Sequence, residues 1–482
     1  MYTTMSEIKS MNIIPGFTEI ISSSPSDRKQ VASTLNIKCF QWDYKNMKNY
    51  TIMKYDKQWL PKLGYTTMGM MRSIITDNDG RVQCFAPPKS LTENELLHNF
   101  TIKSNEPSKT MSINSILQTP SPSSVNSIHV DNNIVFNVEE FVDGTMINAF
   151  YDKELNKWQI ATRSSVGAEI SFYMEKGFSE EDTFSFMFND ICNDINFDIN
   201  SLKKEYVYSF VMQHPSNRIV KPIREKMLYL VEVYKINNVD IMNQTVTREP
   251  MILYETVNQN NLLKPPMQYA LHVQPGDYHQ IESLKNMYAS KNTRYDIVGI
   301  FIKDNRGNRY KIRNPNYDYV KKLRGNNPKL QFQYLHLRNE HLVTQYLMYY
   351  PEHTELFDEF QRMLHDYTKG LYDNYVSCFI LKVNPINDYP EKYRNMMKDV
   401  HRDIFQNRLR DTKERMNINH VIDYMNTIPA AKLMFLSNYD IRRHTIQDNV
   451  FTHKSIIDNQ DVMPNSIDTS LIDHELSHVH QP

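Results

Sequence analysis

Glycine is scarce in this chain, 12 residues in 482. Neither of the glycine-rich phosphate loops, G-x-x-x-x-G-K-[ST] or G-x-G-x-x-G, occurs, so the common nucleotide-binding turns are excluded. Cysteine is rarer still. Cys39, Cys84, Cys192 and Cys378 are far apart with no C-x-x-C pair, which argues against a disulfide framework or a thiolate zinc site. Net charge is missing too: 55 Lys+Arg stand against 56 Asp+Glu, giving -1. That excludes a globally basic nucleic-acid coat but not a local basic groove. No run approaches the roughly 18 apolar residues of a membrane span. The opening MYTTMSEIKSMN lacks a charged-then-apolar signal. The expectation is an intracellular, soluble protein without a membrane partner. No pattern of a serine or cysteine hydrolase triad is evident.

What is present suits a packed core. Hydrophobic residues make up 40% and charged residues 23%, and the length allows one large domain or two to three smaller ones. Residues 1–35 read as a polar, irregular segment. SIIT and RVQCF, separated by DNDG, predict strand, turn, strand. Residues 103–132, rich in Ser, Asn and Pro, predict a loop or linker. From 133 onward NIVFNVEEF, TMINAFY, KWQIATR, EYVYSFVM, KMLYLVEVYKI and MILYE (251–255) predict strands. DIVGIFIKD and NRYKIR predict a hairpin. SEEDTFSFMFNDICND, capped by Ser179, and YHQIESLKNMYAS predict helices. Strands dominate without β-α alternation, so residues 36–328 predict an α+β domain of antiparallel sheets. Residues 329–446 carry helical spacing, punctuated by Pro351, Pro385 and Pro390, and predict an all-helical C-terminal domain. A polar tail from 447 to 482 follows.

One stretch carries chemistry. EEFVDGTMINAFYDKELNKWQIATRSS resembles the nucleotide-attacking motif of the phage-type, ATP-dependent RNA ligases, members of the covalent nucleotidyltransferase superfamily. Those enzymes read Lys-x-Asp-Gly-Ser/Thr, a strand, a turn, and a strand ending in Thr-Arg-Gly-Ser. Val142-Asp143-Gly144-Thr145 and Thr162-Arg163-Ser164-Ser165 match. The lysine does not: its position holds Phe141. In the family that amine forms a phosphoramide with AMP, which a phenyl ring cannot do.

Three more segments are similar to the family in the same order. In MRSIITDNDGRVQCFAPPKS, Arg72 and Lys89 take the places of cations that hold nucleotide phosphates. In EYVYSFVMQHPSNRIV, Pro215, Asn217, Arg218, Ile219 and Val220 match, but the usual ribose-contacting glutamate has Ser209 in its place. In RYDIVGIFIKDNRGNRYKIR, Gly299 matches and the metal-positioning glutamate is Val298. Lys311 and Arg313 keep the phosphate-facing cationic pair.

The resemblance thus implies a ligase-like fold that keeps its cations (Arg72, Lys89, Arg163, Arg218, Lys311, Arg313) with Asp143 and Gly144. It also implies that the nucleophile and two carboxylates are lost. RNA or nucleotide phosphates would be the ligands, and no lysyl-AMP would form. An active RNA-repair ligase using ATP and Mg2+, or a virion or assembly protein with a vestigial pocket, are the alternatives. Heavy use of Asn, Ile and Lys is the bias that A/T-rich genomes, including those of giant DNA viruses, impose.

Two further features stand outside the resemblance. HELSH at 474–478 fits the zincin pattern H-E-x-x-H, but only four residues follow it and leave no place for a third ligand. A chance match is the expectation. Residues 391–415 carry Lys392, Arg394, Lys398, Arg402, Arg408, Arg410, Lys413 and Arg415 around Met396, Met397, Val400, Ile404 and Phe405. A solvated face around a packed stripe is expected, with an RNA-contacting surface as the alternative.

Overall fold

The computed structural model describes residues 11–12, 16–55, 72–101, 134–171, 179–259, 261–274, 277–305 and 307–443. The expected loop at 103–132, the tail from 447 and its HELSH stretch lie outside the described residues. The chain divides into two compact units, residues 1–333 and 334–482.

The first unit is built on strands. They are β1 (Met11–Asn12), β2 (Ile37–Tyr44), β3 (Lys48–Tyr55), β4 (Ser73–Thr76), β5 (Val82–Phe85), β6 (Phe136–Glu140) and β7 (Thr145–Asp152). Then come β8 (Lys157–Ala161), β9 (Tyr206–Gln213), β10 (Met227–Asn237), β11 (Thr245–Arg248), β12 (Gln268–Val273), β13 (Gly299–Asp304) and β14 (Arg309–Arg313). They form three antiparallel sheets, ordered β1-β11-β10-β9-β7-β8, β12-β6-β13-β14 and β2-β3-β4-β5. The six-stranded sheet is covered on both faces. Ile147, Tyr208, Phe210 and Leu230 pack with Phe184, Phe188 and Ile191 of the helix Phe184–Asp194. Phe150, Val207 and Tyr234 of that sheet pack with Tyr50, Ile52, Ile74 and Phe85 of the β2–β5 sheet. Burial on both faces explains why β9 reads as one apolar run rather than an alternating one.

Several expectations change. MILYE is not a strand: Pro250 opens a helix, Pro250–Gln259, and only Leu253 and Thr256 of it are buried. Proline suits the first helical position, where no amide hydrogen bond is lost. Residues 16–35, expected irregular, hold helices Phe17–Ser22 and Arg28–Thr34, whose Phe17, Ile20, Ile21 and Ala32 join the core. Ser179 caps a short 3-10 turn, Glu180–Asp182. The helix proper begins after Thr183, whose hydroxyl accepts the Phe186 amide.

The second unit is helical. Its longest helix, Thr354–Tyr375, buries Phe357, Phe360, Leu364, Tyr367, Leu371 and Tyr375 at three- and four-residue steps. The basic stretch forms the helix Glu391–Val400 and a π-helical segment His401–Leu409. Met396, Met397, Val400 and Ile404 are buried, while Arg402 pairs with Asp399 and Asp403. The apolar stripe of this stretch is thus packed. No helix among the described residues is long and apolar enough to cross a membrane.

Candidate functional site

Strand alternation builds the site. Successive side chains point to opposite faces. Val138, Ile300, Ile302, Tyr310 and Ile312 of β6, β13 and β14 therefore enter the apolar core. The odd-numbered positions, which include Glu139, Phe301, Lys303, Arg309, Lys311 and Arg313, take the other face. Register brings them together: Phe301 is paired with Glu139 on one side and Lys311 on the other, and Gly299 is paired with Arg313. Met146, Val211 and Val231 of the six-stranded sheet oppose them across a cleft of about 290 Å³.

Phe141 lies in this cleft. Its ring centroid is 5.3 Å from that of Phe301, and the Arg313 guanidinium is 5.5 Å from it. Its amide donates to the Gly299 carbonyl at 3.4 Å. Two glycines allow the backbones to close. A β-carbon on Gly144, at φ 150°, would lie 2.4 Å from the Met212 carbonyl oxygen. One on Gly299, at φ 132°, would lie 2.1 Å from that of Ile312.

Asp143 is a clamp. Its Oδ1 accepts the Tyr317 hydroxyl at 2.8 Å, and its Oδ2 accepts the amides of Val220 at 3.3 Å and Lys221 at 3.0 Å. Asn217 Nδ2 donates to the Thr145 hydroxyl at 2.7 Å. The Val-Asp-Gly-Thr turn and the Pro-Ser-Asn-Arg-Ile-Val segment are thus fastened to each other.

Among the described residues six cations line the cleft: Arg72, Lys89, Arg309, Lys311, Arg313 and Lys321. Burial pushes the Lys311 amine down, helped by Arg313, Lys89, Arg72 and Lys321, to about 8. Burial and then Arg313 lower Lys321 as well. Arg72 is depressed by burial, by Arg309 and by Arg163. Of the residues singled out in the sequence, Arg72, Lys89, Phe141, Asp143, Gly144, Lys311 and Arg313 share this cleft. Arg163 and Arg218 are not among its lining residues. Arg163 packs against Tyr55, 5.5 Å from the ring centroid, and Arg218 Nε donates to the Val220 carbonyl at 3.0 Å.

Sequence reasoning missed a second layer. Ser209 is paired across the sheet with Glu232, so a carboxylate does stand beside the position where the family has its glutamate. Lys303 Nζ lies 2.7 Å from Glu139 Oε1 and 3.0 Å from Glu232 Oε1, and it donates to the Val231 carbonyl at 3.0 Å. Arg248 grips Glu232 through Nε to Oε2 at 2.6 Å and Nη2 to Oε1 at 3.2 Å. Gln268 Nε2 donates to Glu139 Oε2 at 3.0 Å. Burial alone would raise the Glu232 carboxyl, but Arg248, Lys303 and Arg309 outweigh it and hold it low, at about 2. A visible signal existed on β14, where Arg309, Lys311 and Arg313 recur at every second position; β13 carries Lys303 on the same face. The carboxylate partners of Lys303, 71 and 164 residues away, gave none.

The Mg2+ that the resemblance implies does not fit these carboxylates. Hard divalent cations take several oxygen ligands. Every oxygen of Glu139, Glu232 and Asp143 already has an N–H or O–H donor. Of the lining carboxylates that leaves Glu140, whose Oε2 accepts only a 3.4 Å contact from the Met267 amide.

No family model matches the chain. A curated relative, the "Immediate-early protein ICP-46 homolog" of Invertebrate iridescent virus 3, is 22% identical over 247 residues. The match covers 47% of this chain and 48% of the relative, so it spans about half the length of that protein. Similar solved structures include an archaeal ATP-dependent RNA ligase, 11% identical with TM-score 0.36, covering 66% of this chain and 68% of that one. The Naegleria gruberi RNA ligase with PPi is 14% identical with TM-score 0.27, covering 40% and 52%. Likeness at this level assigns no activity.

Proposed function

We propose that the protein is an RNA ligase-like, phosphate-binding protein that holds RNA or nucleotide phosphates in this cleft without forming lysyl-AMP. One observation carries the reading: a phenyl ring, Phe141, occupies the nucleophile position of the resembled motif, inside a cleft lined by six cations. Anions bind such a surface through charge-assisted hydrogen bonds, and arginines grip phosphate with two donors at once. A viral source is part of the proposal, supported by the composition bias and by the viral origin of the curated relative.

The test is equilibrium binding of ATP and of a short 5′-phosphorylated RNA across a salt series. Affinity is expected to fall with salt, and Lys311→Ala or Arg313→Ala to weaken it and flatten the slope. Salt-independent binding, or variants that bind like the wild type, would contradict the reading.

A second reading is an active RNA-repair ligase with a displaced nucleophile. Lys311 favours it, because an amine lowered to about 8 has a larger neutral, nucleophilic fraction near physiological pH than an ordinary lysine.

A further inference from the structure

Resting on the phosphate-binding reading, we infer that the cleft takes its ligand as the free anion, with the Lys303 ammonium filling the place a divalent cation would take between Glu139 and Glu232. The stoichiometry of donors and acceptors carries this. Lys303 has three protons and three partners: Glu139, Glu232 and the Val231 carbonyl. All four oxygens of the two carboxylates have donors, from Lys303, Gln268 and Arg248. The side chains of Lys303, Glu139 and Glu232 are 5%, 7% and 1% exposed. A metal could reach these oxygens only by expelling a buried ammonium, which would itself be left unpaired.

The cleft itself, lined by Glu139 but not by Lys303 or Glu232, agrees with a ligand that arrives without a metal. Lys311 and Lys321 have no ion-pair partner among the described residues, and burial, followed by repulsion from the cations around it, depresses Lys311. A nucleoside triphosphate stripped of its divalent ion carries about two more negative charges than the metal complex and relieves that repulsion better. Phosphate charge is met entirely by side chains, so chelation removes nothing the site uses.

The test measures ATP affinity of the full chain at fixed ionic strength, in excess EDTA and in excess magnesium. Binding in EDTA equal to or tighter than in magnesium is expected. A loss of about tenfold or more on chelation would overturn the inference while leaving phosphate binding intact. Absence of binding in both conditions would overturn the phosphate-binding reading and this inference with it. Manganese binding without nucleotide gives an independent measurement: the wild type should bind none tightly, and tight binding at a single site that Glu139→Gln abolishes would contradict the proposal. Lys303→Met, which strands two buried carboxylates, should gain manganese binding if it folds. The wild-type comparison stands without that variant.

Discussion

Phe141 places an apolar ring in a cleft whose lining includes Arg72, Lys89, Arg309, Lys311, Arg313 and Lys321. Lys311 is the most informative of them. Its amine is protonated below about 8, and an anion favours that form, so bound phosphate raises its pKa and binding takes up protons. Affinity for ATP should therefore decline as pH rises through about 8, because the ligand's terminal phosphate is already ionised from roughly pH 7 upward. Isothermal titration at several pH values checks this, and the decline should vanish in Lys311→Met. A flat profile in the wild type would remove Lys311 from the site. Gly144 answers to sterics alone. Gly144→Ala forces a β-carbon against the Met212 carbonyl and should cost about 2–3 kcal/mol in thermal or denaturant unfolding.

Between elements, the Asp143 carboxylate joins the β6–β7 turn to the segment after β9 and to Tyr317 on the helix Pro315–Arg324. Asp143→Ala orphans a buried hydroxyl and two amides, so a loss of about 1–3 kcal/mol in denaturant unfolding is expected, with weaker ATP binding. A variant as stable as the wild type would show that the clamp is dispensable. The motif itself was legible in the sequence because a turn between two strands leaves local marks: Asp-Gly at the corner, apolar runs on both sides. The β13–β14 hairpin was legible for the same reason. The helix Pro250–Gln259 was not, since the four apolar residues 251–254 fit either period and only Pro250 argued for a helix. The hairpin of β2 and β3 also went unread. Its turn uses Lys45 and Asn46 at positive φ, without glycine.

Across the whole molecule, long-range pairing decides what the site can do. Glu139, Glu232, Arg248 and Lys303 meet only because four strands from two sheets, β6 and β13 with β10 and β11, converge, and no local pattern announces it. The sheet-then-helix architecture and the cations of the cleft were legible in the sequence, whereas the pairing of Glu139 and Glu232 with Lys303 was not, because strands distant in sequence make it. Every described residue lining the cleft lies between Tyr55 and Lys321, within the first compact unit. A chain ending at residue 340, which keeps the helix Leu330–Asn339 whole, should bind ATP as the full chain does. A large loss of affinity in a folded truncation would assign the helical unit a part in binding.

The central claim, phosphate held without covalent capture, is tested most directly by incubating the protein with α-labelled ATP and magnesium and running a denaturing gel beside an adenylylated ligase. The account predicts no labelled band from this protein. A band that survives denaturation, mapped to Lys311 or any other side chain, would contradict it.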